Sequence, residues 1–331
     1  VIGFGCGMVG GLMVGGTPSE QEAAVAHALD AGITYFDTAP FYGAGKSEEN
    51  LGRALRSLKR RAIVGSKVRI DPALRDDLDQ RDKLPALITR SVEESLRRLG
   101  VDCLDLIQLH NPISPVGTGS GLTVDLVRQT VLGTFERLRR DGKVRFAGLS
   151  ALGHAPGVID LLQDDRVDTV QVAYSLLNPS ANEPLDDASP SENYERLLRP
   201  VGEHDIGVIG IRLLAGGSLS GVSERHPNAM TTVIPLGKGI GSGADYEHDV
   251  ACAHQFGDLV REGLARSLAS AALRYGISTT GMHTLAIGFS SREQLEEAVQ
   301  AAEDGRFDAP AMQRIRDTQV RLGLVAASEE A

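Results

Sequence analysis

Asp37, Tyr42, Lys67 and His110 are the residue types that together move a proton. A phenol can give or take a proton if its pKa is drawn toward working pH. A nearby ammonium favours the phenolate, and a carboxylate keeps that ammonium charged and in place. All four lie in the first third of the chain, at or just past the ends of short apolar runs that read as strands. Three of those runs are Ile33-Thr34-Tyr35-Phe36, Ala62-Ile63-Val64-Gly65-Ser66 and Leu104-Asp105-Leu106-Ile107-Gln108-Leu109. In a parallel barrel every strand ends on one face, so residues far apart in sequence would meet in one pocket there.

The elements needed for such a barrel are legible along the chain. Thr17-Pro18-Ser19-Glu20 reads as a capping box with proline at the first helical position. Ser47 reads as a second N-cap, followed by Glu48 and Glu49 at the positive end of the helix. Apolar spacing of three and four predicts helices after Ser47 and after Pro85, and over Val124–Arg140, Pro156–Gln163, Tyr194–His204, Phe256–Tyr275 and Arg292–Ala302. Strands are expected at Val1–Phe4, Ile33–Asp37, Ala62–Ser66, Leu104–Leu109, Val144–Leu149, Thr169–Ala173, Gly207–Ile211 and Thr284–Ile287. Eight strand–helix units predict a single α/β domain over residues 1–331, a (β/α)8 TIM barrel. Ala309–Leu322 is expected as an extra C-terminal helix, with an acidic tail after it. Arg69–Leu84, Asn111–Thr123 and Leu213–Ala253 are long and follow strands, so they crowd the face where a barrel carries its function. The last of these shows little periodicity and reads as a long loop.

Composition narrows the class. The 331 residues are 42% hydrophobic and 24% charged, as in ordinary globular proteins. A net charge of −10 with no basic stripe argues against nucleic acid as a partner. No apolar stretch approaches the span of a membrane helix. Three widely separated cysteines, Cys6, Cys103 and Cys252, form no CxxC pair; they point to a reducing cytoplasm and to no metal site or disulfide framework. The N-terminus shows no leader pattern, and Val1 already falls in an apparent strand.

Several motifs, in order, resemble those of the aldo-keto reductases. They are Gly32-Ile33-Thr34-Tyr35-Phe36-Asp37-Thr38-Ala39 with Tyr42-Gly43 and Ser47-Glu48, then Leu99–Asp102 through Asp105–His110. Gly142–Arg145 with Gly148-Leu149-Ser150, Gln171–Asn178, and Ile287–Ser291 with Gln294 and Glu297 continue the resemblance. It implies a (β/α)8 barrel, a bound nicotinamide nucleotide and carbonyl–alcohol interconversion. On the family pattern Tyr42 is the acid/base, Lys67 lowers its pKa, Asp37 pairs with Lys67, and His110 orients the carbonyl. The hydride belongs to the cofactor, so no protein nucleophile is needed.

The same resemblance assigns the cofactor grip. Ser150 and Gln171 match the positions that serve the nicotinamide carboxamide, although the often-following Asn is here Ala151. Ile211 stands where an aromatic ring commonly stacks, and Arg212 beside it is expected at the pyrophosphate. Gly288, Ser290 and Ser291 open a helix whose N-terminus favours an anion, and Gln294 and Glu297 match adenosine positions. These residues permit NADP and NAD; family habit favours NADP, with Arg292 the nearest cation for its 2′-phosphate. The glycines of Gly3–Gly16 form no Rossmann fingerprint and are expected to let backbone approach the pocket. The expected partner is a small carbonyl compound or sugar, and Ile211–Gly217 is similar to the bacterial sugar-dehydrogenase branch. A second reading, a nucleotide-binding regulator like the potassium-channel β-subunits, keeps the barrel without turnover. Oligomeric state is not encoded legibly.

Overall fold

Short apolar strands, each followed by a helix with one apolar face, solve their burial problem by closing on themselves. The computed structural model describes residues 1–76, 82–186, 188–202, 204–230, 241–242 and 245–327. Its strands are β1 (Ile2–Gly5), β2 (Tyr35–Asp37), β3 (Ile63–Val68), β4 (Leu104–Leu109), β5 (Val144–Ser150), β6 (Thr169–Ala173), β7 (Gly207–Ile211) and β8 (Thr284–Gly288). They pair in parallel and in chain order, and β8 returns to β1. The architecture is the expected (β/α)8 barrel, with each strand within a residue or two of its sequence-based bounds.

The capping box at Thr17 is formed, and the helix Pro18–Asp30 buries Ala24, Ala28 and Leu29 against the barrel. On the outer face of the strands, beneath the helices, Phe4 stacks on Phe36 with centroids 5.3 Å apart, and Phe289 meets Phe4 edge-on at 5.0 Å. The extra helix Ala309–Arg321 packs on the outside, where Gln319 Nε2 donates to the carbonyl of Leu176. No helix of the described residues is long and apolar enough to cross a membrane.

Local chemistry overrides periodicity in four places. Ser47 caps nothing: the helix Lys46–Leu58 starts after Gly45, whose φ is 92°, and Ser47 is fully buried, donating to the carbonyl of Cys6 at 2.9 Å. Among the described residues, Tyr194–His204 is helical only at Leu198–Val201. There the Ser180 hydroxyl and the Asn193 side chain accept the backbone N–H groups of Tyr194 and Glu195, and Glu195 and Arg196 turn left-handed. Phe256–Tyr275 is broken into Asp258–Arg261 and Leu268–Ser278, because Gly263 turns at φ 74° and Ser267 caps a new start. The stretch Leu213–Ala253 is not all loop, since it holds a 3-10 turn at Ala215–Ser220 and a helix at Tyr246–His254 capped by Asp245. Residues 231–240 and 243–244 of that stretch, 77–81 of the loop after β3, Glu203 and the tail at 328–331 lie outside the described residues.

The glycines after β1 pack the first loop onto its neighbours. A methyl group on Gly10 would lie 2.4 Å from the Phe289 nitrogen, and one on Gly11 would lie 1.6 Å from the Asn228 oxygen. Gly11 also has φ 82°. Gly11→Ala is therefore expected to cost about 2–4 kcal/mol of stability, combining left-handed strain with overpacking. Urea denaturation would measure it, and an unchanged midpoint would contradict this packing.

Candidate active site

The ends of β2, β3 and β4 bring three of the four residues together, and the turn after β2 brings the fourth. Asp37 closes β2, Lys67 lies in β3 opposite Gln108 of β4, and the His110 backbone N–H is tied to Val68 just beyond. Tyr42 sits in a turn whose N–H reaches Ala39 and whose carbonyl accepts from Ser47. Lys67 Nζ donates to Asp37 Oδ2 at 2.5 Å and to the Thr38 carbonyl at 3.0 Å, and lies 5.0 Å from the Tyr42 ring centroid. The Tyr42 and His110 rings are perpendicular at 6.3 Å, with Phe41 against both, at 5.2 Å from Tyr42 and 4.6 Å from His110. All four predicted residues thus share one mouth of the barrel.

Their electrostatics are asymmetric. Burial opposes the Lys67 charge, but Asp37 and Tyr42 outweigh it, and the net direction is up. Lys67 is a fixed cation. For Tyr42, burial is the larger influence and pushes the phenol above its ordinary value; the Lys67 ammonium pulls the other way. The sequence-based expectation of a lowered phenol is met in the sign of the Lys67 effect, not in the net result. His110 is pushed down to about 2, by burial first and then by Lys67, Arg69 and Arg212. It is a neutral imidazole, and its buried Nδ1 has no hydrogen-bond partner among the described residues.

The residues expected to hold a nucleotide line the same face. Ser150 and Gln171 are neighbours in register, both fully covered. Ser150 Oγ has no partner among the described residues, which suits a group still to be supplied by a ligand. Gln171 is already engaged, since its Nε2 donates to Asp37 Oδ1 at 2.5 Å. Ile211 ends β7 opposite Ala173, and Arg212 follows with φ 61°. A left-handed non-glycine residue at a strand end is costly and gathers at functional sites. Gly288 pairs with Gly5 and abuts Gly10. Ser291 caps the helix Arg292–Glu303, and the Ser290 N–H is accepted by Gln294 Oε1 at 2.8 Å. Glu297 accepts from the Ser267 hydroxyl, and Arg292 is exposed in the first helical turn. The anion-favouring helix start is present, with Gln294 closing part of it.

Other residues of the site escaped sequence analysis. Tyr35 and Gln108 both donate to Asp37 Oδ1, at 3.0 and 3.4 Å. Tyr35 stands two positions before Asp37 on β2, and Gln108 two before His110, which lies just past the end of β4, so period-two alternation could have found them. Glu48, read as a helix-start charge, is instead fully buried between Arg98 Nε and the Ser66 hydroxyl, each at 2.6 Å. Among the described residues no cluster of His, Cys, Asp and Glu could hold a metal ion.

Known proteins resemble this chain in sequence and in fold. An L-galactose dehydrogenase of Arabidopsis thaliana is 28% identical over 304 residues, 91% of this chain and 83% of its own length. A D-threo-aldose 1-dehydrogenase of Pseudomonas is 32% identical over 206 residues, 56% of this chain and 60% of its own. Among solved structures, a glycerol dehydrogenase of Gluconobacter oxydans superposes with a TM-score of 0.72 at 24% identity, covering 100% of this chain and 94% of that one. A Klebsiella pneumoniae aldo/keto reductase solved with NADP and acetate gives 0.67 at 23%, covering 99% and 93%. At those identities the two structures speak for the fold. The profile of the Aldo/keto reductase family matches residues 1–319, and the chain belongs to that family.

Proposed function

We propose that the protein is an oxidoreductase that interconverts a small carbonyl compound, in particular an aldose or other sugar, and the corresponding alcohol, with NADP as its preferred nucleotide. The observation that carries this reading is the anchored Lys67 beside Tyr42, with a neutral His110 facing the same phenol. The names of the sugar dehydrogenases among its relatives support the substrate class.

The bound nucleotide supplies or accepts the hydride. This chain's part is the proton. In the reducing direction the Tyr42 hydroxyl protonates the oxygen that becomes the alcohol; in the oxidising direction its phenolate takes that proton back. Lys67 stabilises the phenolate, and Asp37 keeps Lys67 charged and directed. Neutral His110 donates its one ring N–H to the same oxygen and sets its orientation.

The nucleotide would be held by Ser150 Oγ and the Gln171 carbonyl oxygen at the carboxamide, with Ile211 against one nicotinamide face. Arg212 would meet the pyrophosphate; Gly288, Ser290 and Ser291 the adenosine phosphate; Gln294 and Glu297 the adenosine. Arg212 has no carboxylate partner among the described residues, which leaves its charge for a phosphate.

The pH dependence follows from the directions of the shifts. Reduction needs the protonated phenol, whose pKa is raised, so reduction should hold through neutral pH and fall only as pH climbs through that raised value. Oxidation needs the phenolate and should rise over the same range. His110 is already neutral, so neither profile should show a limb near the ordinary imidazole value of about 6.5. Rate–pH profiles in both directions check this, and a limb near that value would argue against a neutral imidazole. The deciding experiment is a panel of carbonyls and sugars with each nucleotide, run in both directions. Turnover of an aldose or short aldehyde with tighter NADP than NAD binding is expected. No turnover, and no binding of either nucleotide at millimolar concentration, would sink the proposal.

A further inference from the structure

The acid/base centre has a floor. On a strand, alternate side chains share a face, so Tyr35 points into the barrel directly beneath Asp37. Its hydroxyl donates to Asp37 Oδ1 at 3.0 Å. Gln171 Nε2, at 2.5 Å, and Gln108 Nε2, at 3.4 Å, converge on the same oxygen from β6 and β4. Oδ2 is thereby left to Lys67 alone. The neighbouring strands make room for the phenol ring. A methyl group on Gly65 would lie 2.6 Å from the Tyr35 hydroxyl, and one on Gly3 would lie 2.8 Å from its Cδ1. Side chains on β1 and β3 would evict the ring, so both strands carry glycine where it lies.

Below the ring the barrel is open. A hollow of about 330 Å³ faces the N-terminal mouth, opposite the site, and Tyr35 lines it with Leu106, Phe146, Ile209 and Thr284. Tyr35, Leu106 and Ile209 of that lining pack with Ala286 as one apolar cluster, and the Tyr35 hydroxyl rises from it to Asp37.

We propose that Tyr35 is a positioning residue of the acid/base centre: with Gln108 and Gln171 it locks the Asp37 carboxylate so that one oxygen faces Lys67, and its ring keeps water in the N-terminal hollow from reaching the ion pair. This rests on the assignment of Tyr42 as the acid/base. Tyr35 acts as a fixed donor and not as a proton relay. Burial, then the Asp37 charge, pushes its phenol well above the ordinary range, so it stays protonated. Loosening Asp37 would misplace Lys67 and weaken the largest influence that draws Tyr42 down.

The test uses Tyr35→Phe, which keeps the ring and removes the hydroxyl, and Gly65→Ala, which crowds the hydroxyl. Tyr35→Phe should lower kcat about tenfold or more, the size of one hydrogen bond to a charged group, with nucleotide affinity and substrate KM within about twofold. The alkaline limb assigned to Tyr42 should move up by about half a unit or more. Gly65→Ala should shift the same two quantities in the same direction. A ¹³C signal from the Asp37 carboxyl should change its shift and its titration in Tyr35→Phe. That last readout needs no turnover, so it still tests the floor if Tyr42 proves not to be the acid/base, which Tyr42→Phe reveals separately. A folded Tyr35→Phe protein with the parental Asp37 signal and pH limb would overturn the proposal, even if its kcat were lower.

Discussion

Tyr42→Phe is expected to reduce kcat by about 10²–10⁴-fold, the range over which a positioned acid/base contributes. Nucleotide affinity should stay within about twofold, because the substitution removes one oxygen and leaves the ring against Phe41 and His110. The split between a large effect on kcat and a small one on binding is the signature of a group used only in the transition state. Steady-state rates in both directions, with nucleotide titration by fluorescence, supply both numbers. Retention of most activity would remove Tyr42 from the mechanism.

Lys67→Met should be costly in two ways. The side chain is wholly covered and its partner Asp37 nearly so, at 0% and 7% exposure. Removing the cation leaves a buried carboxylate whose only remaining donors are neutral, a situation that typically costs about 3–5 kcal/mol. Activity should fall at least as far as in Tyr42→Phe, since the phenolate then loses its stabilising charge while burial still opposes it. The double variant Asp37→Asn/Lys67→Met removes both charges. It should recover much of the stability and none of the activity, and that contrast separates the structural cost of the pair from its chemical use. If the double variant were no more stable than Lys67→Met, the buried charge would not be the source of the loss. Calorimetric or denaturant unfolding, with kcat measured on the same samples, decides it.

These two expectations begin at residues that stand out in the bare sequence because each follows a short apolar run. Strand ends are readable from local alternation, and a barrel maps every strand end to one face, so Asp37, Lys67 and His110 could be grouped before any coordinates. Tyr42 joins them through a turn of few residues, which local pattern also limits. The helices were less legible where a side chain could bond backbone more cheaply than a helix could. Ser180 and Asn193 unwind the start of Tyr194–His204, and Ser267 restarts a helix that periodicity ran straight through. Ser47 illustrates the opposite failure, a good capping residue recruited into the interior by Cys6.

What the sequence determined by itself is the order of strands and helices and the position of Asp37, Lys67 and His110 at strand ends, because period, caps and strand length act over a few residues at a time. What only the tertiary structure decided is who surrounds them. Tyr35, Gln108 and Gln171 converge on one carboxylate oxygen from three different strands, and the glycines that admit the Tyr35 ring come from two more. Whether the phenol of Tyr42 rises or falls is likewise a contest between burial and nearby cations, Lys67 first among them. Both outcomes depend on through-space distances between residues separated by dozens of positions, and no local pattern carries that information.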